Sequence, residues 1–452
     1  MQHLNGLQPE RTNSEQKADF DTWYDEIMLL SEHPYFEGVW IVQEIAKGRH
    51  VEVWWGPEAT EISRVFEGAR YFMFGELDRP SAIDRFRTRE MQSRIGVPRM
   101  LLAEAMLLTY GFKATDQRDK IHALLGMTLD GSDVLPWPSY TEDPDVVFRR
   151  VTEVMIAREG LTALILLARG HVALRDSPSW FPRWTTLASR IPGWITDEVT
   201  HDRETLSFKT TISGGCVTVS GIALTAFAEV SGGDGVSRAA AARRDHRYSK
   251  DSDLLKARDL EQARAEDVLA QVWDIIVGSG TWTNVAEEEN TSMKAYATTK
   301  LLVDENPRLY LEGLGGTEGS VSDWVASVRS LHFRGRQMSL WASDHGTPPP
   351  PFDDPNHLIF EDWYKELCKG IEALSSLRVK LAVSMTDSLW LVHQDTTAED
   401  LVFRLINCQL PVILRPTGKV FRFVGEVWAP TQQAGWINEY LKNAQWKDIL
   451  IM

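Results

Sequence analysis

CVTVSGIALTAFAEV, residues 216–230, is the stretch whose pairing decides the fold. It is β-branched and partly alternating, which reads as a strand. No second strand pattern lies near it in sequence. The comparable patterns come only at the C-terminal end, at 379–385, 389–393, 402–406, 412–414 and 420–428. A lone strand leaves its backbone N–H and C=O groups unpaired, so its expected home is beside those C-terminal strands. Helical patterns at 254–278 (LLKARDLEQARAEDVLAQVWDIIVG), 292–303, 321–331 and 358–375 then become one large insertion between strands that pair.

Outward from this unit the grammar is more helical. Residues 1–20 are polar and read as a disordered lead-in. Residues 21–30 form a short amphipathic helix with Trp23, Ile27 and Leu30 on one face. Trp40-Ile41-Val42 follows, with Trp40 read as buried, and then the alternating strand Val51-Glu52-Val53-Trp54-Trp55. PRMLLAEAMLLTY (98–110) reads as a buried helix with Pro98 in its first turn. Another helix opens at Asp143-Pro144, a capping Asp before an N1 proline, with Val147, Val151, Val154 and Met155 as its stripe. DSPSWFPRW (176–184) carries two prolines among aromatics and reads as an ordered connector. Residues 231–250 are rich in Gly, Ser, Ala and Arg and read as mobile, and Pro348–Pro351 mark a stiff linker within 345–356. The expected class is α+β: a mainly helical N-terminal lobe with a few strands, then a small C-terminal β-sheet or barrel-like unit with a large helical insertion. The expected segments are 1–20, a domain at 21–135, a helical connector at 136–205 and a C-terminal domain at 206–452.

Composition narrows the function classes. The chain has 452 residues and a net charge of −16, from 48 basic against 64 acidic residues. Such a field repels polyanions, and the basic knot at 238–247 (RAAAARRDHR) reads as a solvated loop or short exposed helix, so no nucleic-acid partner is expected. Cys216, Cys368 and Cys408 are far apart without CxxC spacing, which fits a reducing compartment. The polar N-terminus has no apolar signal core, and the longest apolar run, ALILLA (163–168), is far too short to span a bilayer. There is no GxSxG, HExxH or P-loop, no HxH or HxxxH pair, and Gly232-Gly233-Asp234-Gly235 lacks the lysine of a phosphate cradle. No metal and no cofactor is expected. The 17 Trp point instead to defined packing layers or a recognition surface.

Five blocks occur in order: PYFEGVWIVQE (34–44), TDQRDKIHALLG (115–126), Pro138-Ser139-Tyr140 leading to Val147-Phe148, PSWFPRW (178–184), and LPVILRP (410–416) followed by FVGE (423–426). Together they resemble the fungal heterokaryon-incompatibility (HET-domain) family, over most of the chain between Pro34 and Glu426. Departures are visible too. The family's opening Leu-Ser-Tyr-x-Trp-Gly and Trp-Ile-Asp-x-x-Cys-Ile-x-Gln blocks are missing, so the 21–135 domain reads as a truncated remnant. Gly38 stands where the family has Arg, Glu399-Asp400 replaces a Gly-Asp step, and Ile121 followes Lys120 where an aromatic is expected, with His122 next.

The resemblance implies a cytoplasmic role in non-self recognition and programmed cell death, through protein partners. The Toll/interleukin-1-receptor-like comparison made for such domains, and the NAD cleavage seen in some of those folds, rest on the missing segments and are not carried over. The alternative is an enzyme of secondary metabolism, with a small-molecule ligand in an aromatic-lined cleft between lobes. Trp40, Gln43, Arg118, Trp180, Trp184 and Arg415 are the candidate binding residues, and Glu44 and Asp119 the candidate acid/base carboxylates. Each also has a structural reading. Asp116 caps a helix in which Asp119 takes the N3 position and Gly126 closes it as C′; Gln43 and Glu44 cap or bridge; Trp180 and Trp184 fill a groove; Arg415 pairs with Glu426 on a neighbouring strand.

Overall fold

The computed structural model describes residues 33–72, 79–159, 178–181, 210–213, 215–232, 254–277, 290–303, 318–345, 351, 354, 356–376, 379–386, 388–406, 408, 410–428, 441 and 445–452. The lead-in at 1–20, the helix read at 21–30, the apolar run at 163–168, Trp184, the basic knot and most of the proline linker lie outside them. The chain forms two compact units, Met1–Thr141 and Glu142–Met452. Both helices and a large antiparallel sheet are present, and the class is α+β.

The first unit is mainly helical. A 3-10 turn at Pro34–Glu37 leads to α1 (Trp40–Lys47), the hairpin β1 (Glu52–Trp55) and β2 (Glu58–Glu61), then α2 (Ile62–Phe72), α3 (Arg79–Ser93), α4 (Leu102–Leu108), α5 (Asp119–Leu125) and α6 (Gly131–Val134). The hairpin closes on Gly56-Pro57, where Gly56 takes φ +60°, a backbone a side chain would strain. Ile41, Val42, Ile45 and Ala46 of α1 are buried. That helical spacing turns Trp40 and Glu44, one turn apart, to the opposite face, so Trp40 is 41% exposed rather than buried. The Arg87 guanidinium of α3, itself buried, donates to the carbonyls of Ile45 (2.7 Å) and Gly48 (2.8 Å), satisfying the C-terminal end of α1.

Two local expectations are corrected here. The helix read at 98–110 starts only at Leu102, leaving Pro98 ahead of it, because the buried Asp130 carboxylate accepts the Leu102 N–H at 2.8 Å and so sets the first turn. Asp116 does not cap α5. It closes a turn by accepting from the Arg118 N–H at 3.0 Å, the helix begins at Asp119, and Gly126 ends it at φ −76° without left-handed backbone.

The second unit opens with α7 (Pro144–Glu159). Asp143 accepts from the Asp145 N–H at 2.9 Å, and Val147, Val151 and Met155 are buried while Val154 is half-buried. The strands β3 (Thr211–Ser213) and β4 (Cys216–Val230) follow. The insertion then comprises α8 (Leu254–Val277), α9 (Thr291–Val303), α10 (Glu318–Ser330), the small hairpin β5 (His332–Phe333) and β6 (Arg336–Gln337), α11 (Met338–His345) and α12 (His357–Ser376). After it run β7 (Val379–Ser384), β8 (Leu389–His393), β9 (Leu401–Leu405), β10 (Val412–Thr417), β11 (Val420–Trp428) and β12 (Lys447–Ile451).

β4 does pair with the C-terminal strands, across the whole insertion. Antiparallel pairings run β4–β9–β10–β11–β8–β7 and back to β4, a closed six-stranded circuit. Closure leaves these strands without a free hydrogen-bonding edge over their paired length. β4 serves several neighbours because it is long and irregular: β3 and β12 flank its first part, β9 its middle and β7 its end, with register shifts near Ala223/Thr225 and Phe227/Glu229. Leu224, Phe227, Val230, Ala382, Trp390, Val392, Val402, Ile413, Val424 and Val427 form one core cluster. The alternate residues of β7 and β8, among them Leu381, Val383, Leu389 and Leu391, join the core of the helical insertion. All five positions of β8 are therefore buried, which explains an apolar run where alternation would otherwise be expected.

Gly425 sits where only hydrogen fits. A Cβ there would stand 2.7 Å from the His393 Cβ and 3.2 Å from its Cγ, atoms too close to the backbone to swing aside. Gly425→Ala should cost about 1–3 kcal/mol by overpacking. A lower urea midpoint at unchanged slope is the expected result, and an unchanged midpoint would contradict the contact.

Candidate functional site

The first unit gathers its chemistry at the start of α5. The turn before the helix sets Asp116 and Arg118 side by side. Arg118 donates from Nε to Asp116 Oδ1 at 2.8 Å and from Nη2 to Oδ2 at 2.7 Å, and its Nη1 donates to the Tyr140 carbonyl. Tyr140 packs over this group. Its ring centroid is 5.4 Å from the Arg118 guanidinium carbon and its hydroxyl donates to Asp119 Oδ1 at 2.6 Å. The Tyr140 ring also meets the His122 ring edge-on, with centroids 4.8 Å apart. His122 is 8% exposed, and neither ring nitrogen has a hydrogen-bond partner among the described residues.

The charges of the cluster are set by these contacts. The Arg118 hydrogen bonds hold the Asp116 carboxyl below its ordinary range, and the same contacts raise the Arg118 guanidinium. The hydrogen bond to Asp119 pushes the Tyr140 phenol up to about 12, so it is a donor and not a base at neutral pH. Burial lowers His122, opposed in part by Asp119 and Asp116, and burial also lowers Lys120, whose ammonium donates to the Tyr110 carbonyl at 3.3 Å. Arg118 is thus spent internally: all three of its nitrogens have partners in the fold, so its fork is not presented to a ligand carboxylate.

The remaining sequence candidates are distributed differently. Glu44 is exposed on the outer face of α1, one turn from Trp40. Gln43 is half-buried and brings its amide, with the Lys47 ammonium, over Gly126 at the end of α5. Trp180 belongs to the second unit and is 2% exposed, its indole N–H donating to the Gly215 carbonyl at 3.0 Å. Beside it, Ser179 accepts from the Phe423 N–H at 2.9 Å, donates its own N–H to the Met452 oxygen at 3.1 Å, and touches that oxygen again through Oγ. This segment is a peg holding the β3–β4 turn, β11 and β12 together.

Arg415 does not pair with Glu426. It donates from Nε and Nη2 to the two oxygens of Asp400 at 2.8 and 2.9 Å, and from Nη2 to the Asp395 carbonyl at 2.7 Å. The register explains it: Arg415 stands opposite Arg422, while Glu426 stands opposite Val412. The Asp400 contact raises the Arg415 guanidinium further.

Sequence reading named Arg118, Asp119 and Arg415 but missed their partners, Tyr140 for the first two and Asp400 for the third, and the buried His122 beside them. Tyr140 lies 21 residues beyond Asp119, too far for any helical or strand spacing to link them. Compared with protein-family models, curated proteins and solved structures, nothing matches this chain.

Proposed function

We propose that this chain is a cytoplasmic protein of fungal non-self recognition, of the heterokaryon-incompatibility kind, working through protein–protein contacts rather than catalysis. One observation carries the reading. The residues on which the resemblance rests bind each other across separate blocks: Arg118 and Asp119 hold Tyr140, Ser179 holds Phe423, and Asp400, from the position of the Gly-Asp step, holds Arg415. Motif residues spent on one another in this way build a scaffold, and a scaffold supports recognition better than turnover. Exposed aromatics on the first unit, Trp54 at 68% and Trp137 at 85%, agree with contact-making. No helix among the described residues is long and apolar enough to cross a membrane.

The test is cellular. The full chain is expressed conditionally in a filamentous fungus, alone and in fusions with genetically different isolates. Slowed growth or loss of viability in particular pairings is expected, and Arg118→Ala should abolish it by releasing Tyr140. Unchanged growth and viability in every pairing would overturn the reading.

A further inference from the structure

Both ring nitrogens of the buried His122 stand outside the hydrogen bonding of the α5 cluster among the described residues. An imidazole can stay in such a seat while neutral, because an unpaired neutral nitrogen costs far less to bury than a charge. A protonated ring cannot, unless it finds an acceptor. Two carboxylates lie within electrostatic reach, and both are taken: Asp116 holds the Arg118 fork and Asp119 holds the Tyr140 hydroxyl. The Arg118 charge opposes a second cation there. Elements packed on α5 add Lys47 and Gln43 from α1, which reach the far end of the helix at Gly126, Glu104 from α4 and Asp133 from α6. Of the two carboxylates, Asp119 pulls harder on His122 and holds a neutral hydroxyl rather than a guanidinium, so it is the acceptor an imidazolium can win, by displacing the Tyr140 hydroxyl.

We propose that His122 and Tyr140 form an acid-sensitive latch: on protonation His122 competes for Asp119, Tyr140 is released, and the 135–141 segment it anchors lifts from α5. One proton is taken from solvent and no covalent bond changes. Burial holds the His122 imidazole of the closed form below its ordinary value of 6.5. The open form, with its ring in water, binds the proton more readily. Closure is thus fully favoured above pH 6.5 and is lost as the pH falls below 6.5 through the depressed value of the closed form. This latch is a property of the first unit and stands or falls apart from the proposed cellular role.

Hydrogen exchange on the full chain reads it directly. After correction for intrinsic exchange, peptides covering 133–143 should lose protection several-fold between about pH 7.5 and about pH 5, by at most about tenfold per pH unit, the limit for one proton. His122→Phe keeps a buried ring and should make that protection independent of pH. His122→Gln serves the same purpose should the Phe variant fail to fold. Tyr140→Phe, which removes the latching hydroxyl, should open the segment at both pH values. Equal protection of the wild-type chain at both pH values would overturn the proposal. So would a pH response that survives in the His122 variants, or a His122 ring titrating at or above 6.5 by NMR.

Discussion

Asp400→Ala is expected to destabilise the second unit by about 3 kcal/mol, the lower end of the cost of removing one partner from a buried ion pair. Asp400 is fully buried and does three things at once: it binds both Nε and Nη2 of Arg415, and it accepts the Thr397 N–H at 2.8 Å. Without it the guanidinium loses the carboxylate it forks, keeping only the weaker pull of Asp395 and Glu399, and the turn into β9 loses an acceptor. The Arg415 side chain keeps 28% exposure, so water softens the penalty, and for that reason the lower end applies. Urea denaturation of the single variant measures the cost. The double variant Asp400→Leu with Arg415→Met removes both charges and should recover most of it, because no ion is then stranded. A single variant within about 0.5 kcal/mol of wild type, the spread of ordinary surface changes, would show that the fork holds nothing.

Trp180→Ala has the second large effect, about 3–5 kcal/mol, from the cavity it leaves. The indole is 2% exposed and donates to the Gly215 carbonyl, so truncation removes both packing and the hydrogen bond that fastens the β3–β4 turn. Trp180→Phe refills much of the volume but not the donor and should cost clearly less. Thermal melting gives the ranking, and faster hydrogen exchange at 211–218 should accompany it. A Trp180 that served as a ligand platform would give the opposite result, with stability unchanged on truncation.

Much of the second unit was legible because its signals are local. The β-branched run at 216–230 and the strands at 389–393 and 420–428 appear with the limits read from the residues, since strand character follows from contiguous side chains. Asp143-Pro144 opened a helix as read, because capping acts within one turn. Pairing of β4 across the insertion was legible because a strand of that length needs partners, but the short β3 just ahead of it, which pairs with Cys216–Thr218, was missed. β12 was overlooked although Ile449 and Ile451 alternate with Asp448 and Leu450, a weak signal in so short a run.

The candidate site was legible only in its parts. TDQRDKIHALLG announced charged residues at a helix start, yet nothing local distinguishes an Arg118 offered to a ligand from one spent on Asp116. Arg415 was read with Glu426, but register sets Glu426 opposite Val412, three places along β10, and Asp400 takes the guanidinium instead. For CVTVSGIALTAFAEV, the residues alone determined that it is a strand and that, β3 apart, its partners lie beyond the helices. Only the tertiary structure decided that it closes into a ring with those partners, because closure depends on the register shifts at Ala223/Thr225 and Phe227/Glu229 and on which edges meet. Periodicity is written in neighbouring residues, whereas the choice among distant equivalent partners is made by geometry that exists only once the chain has folded.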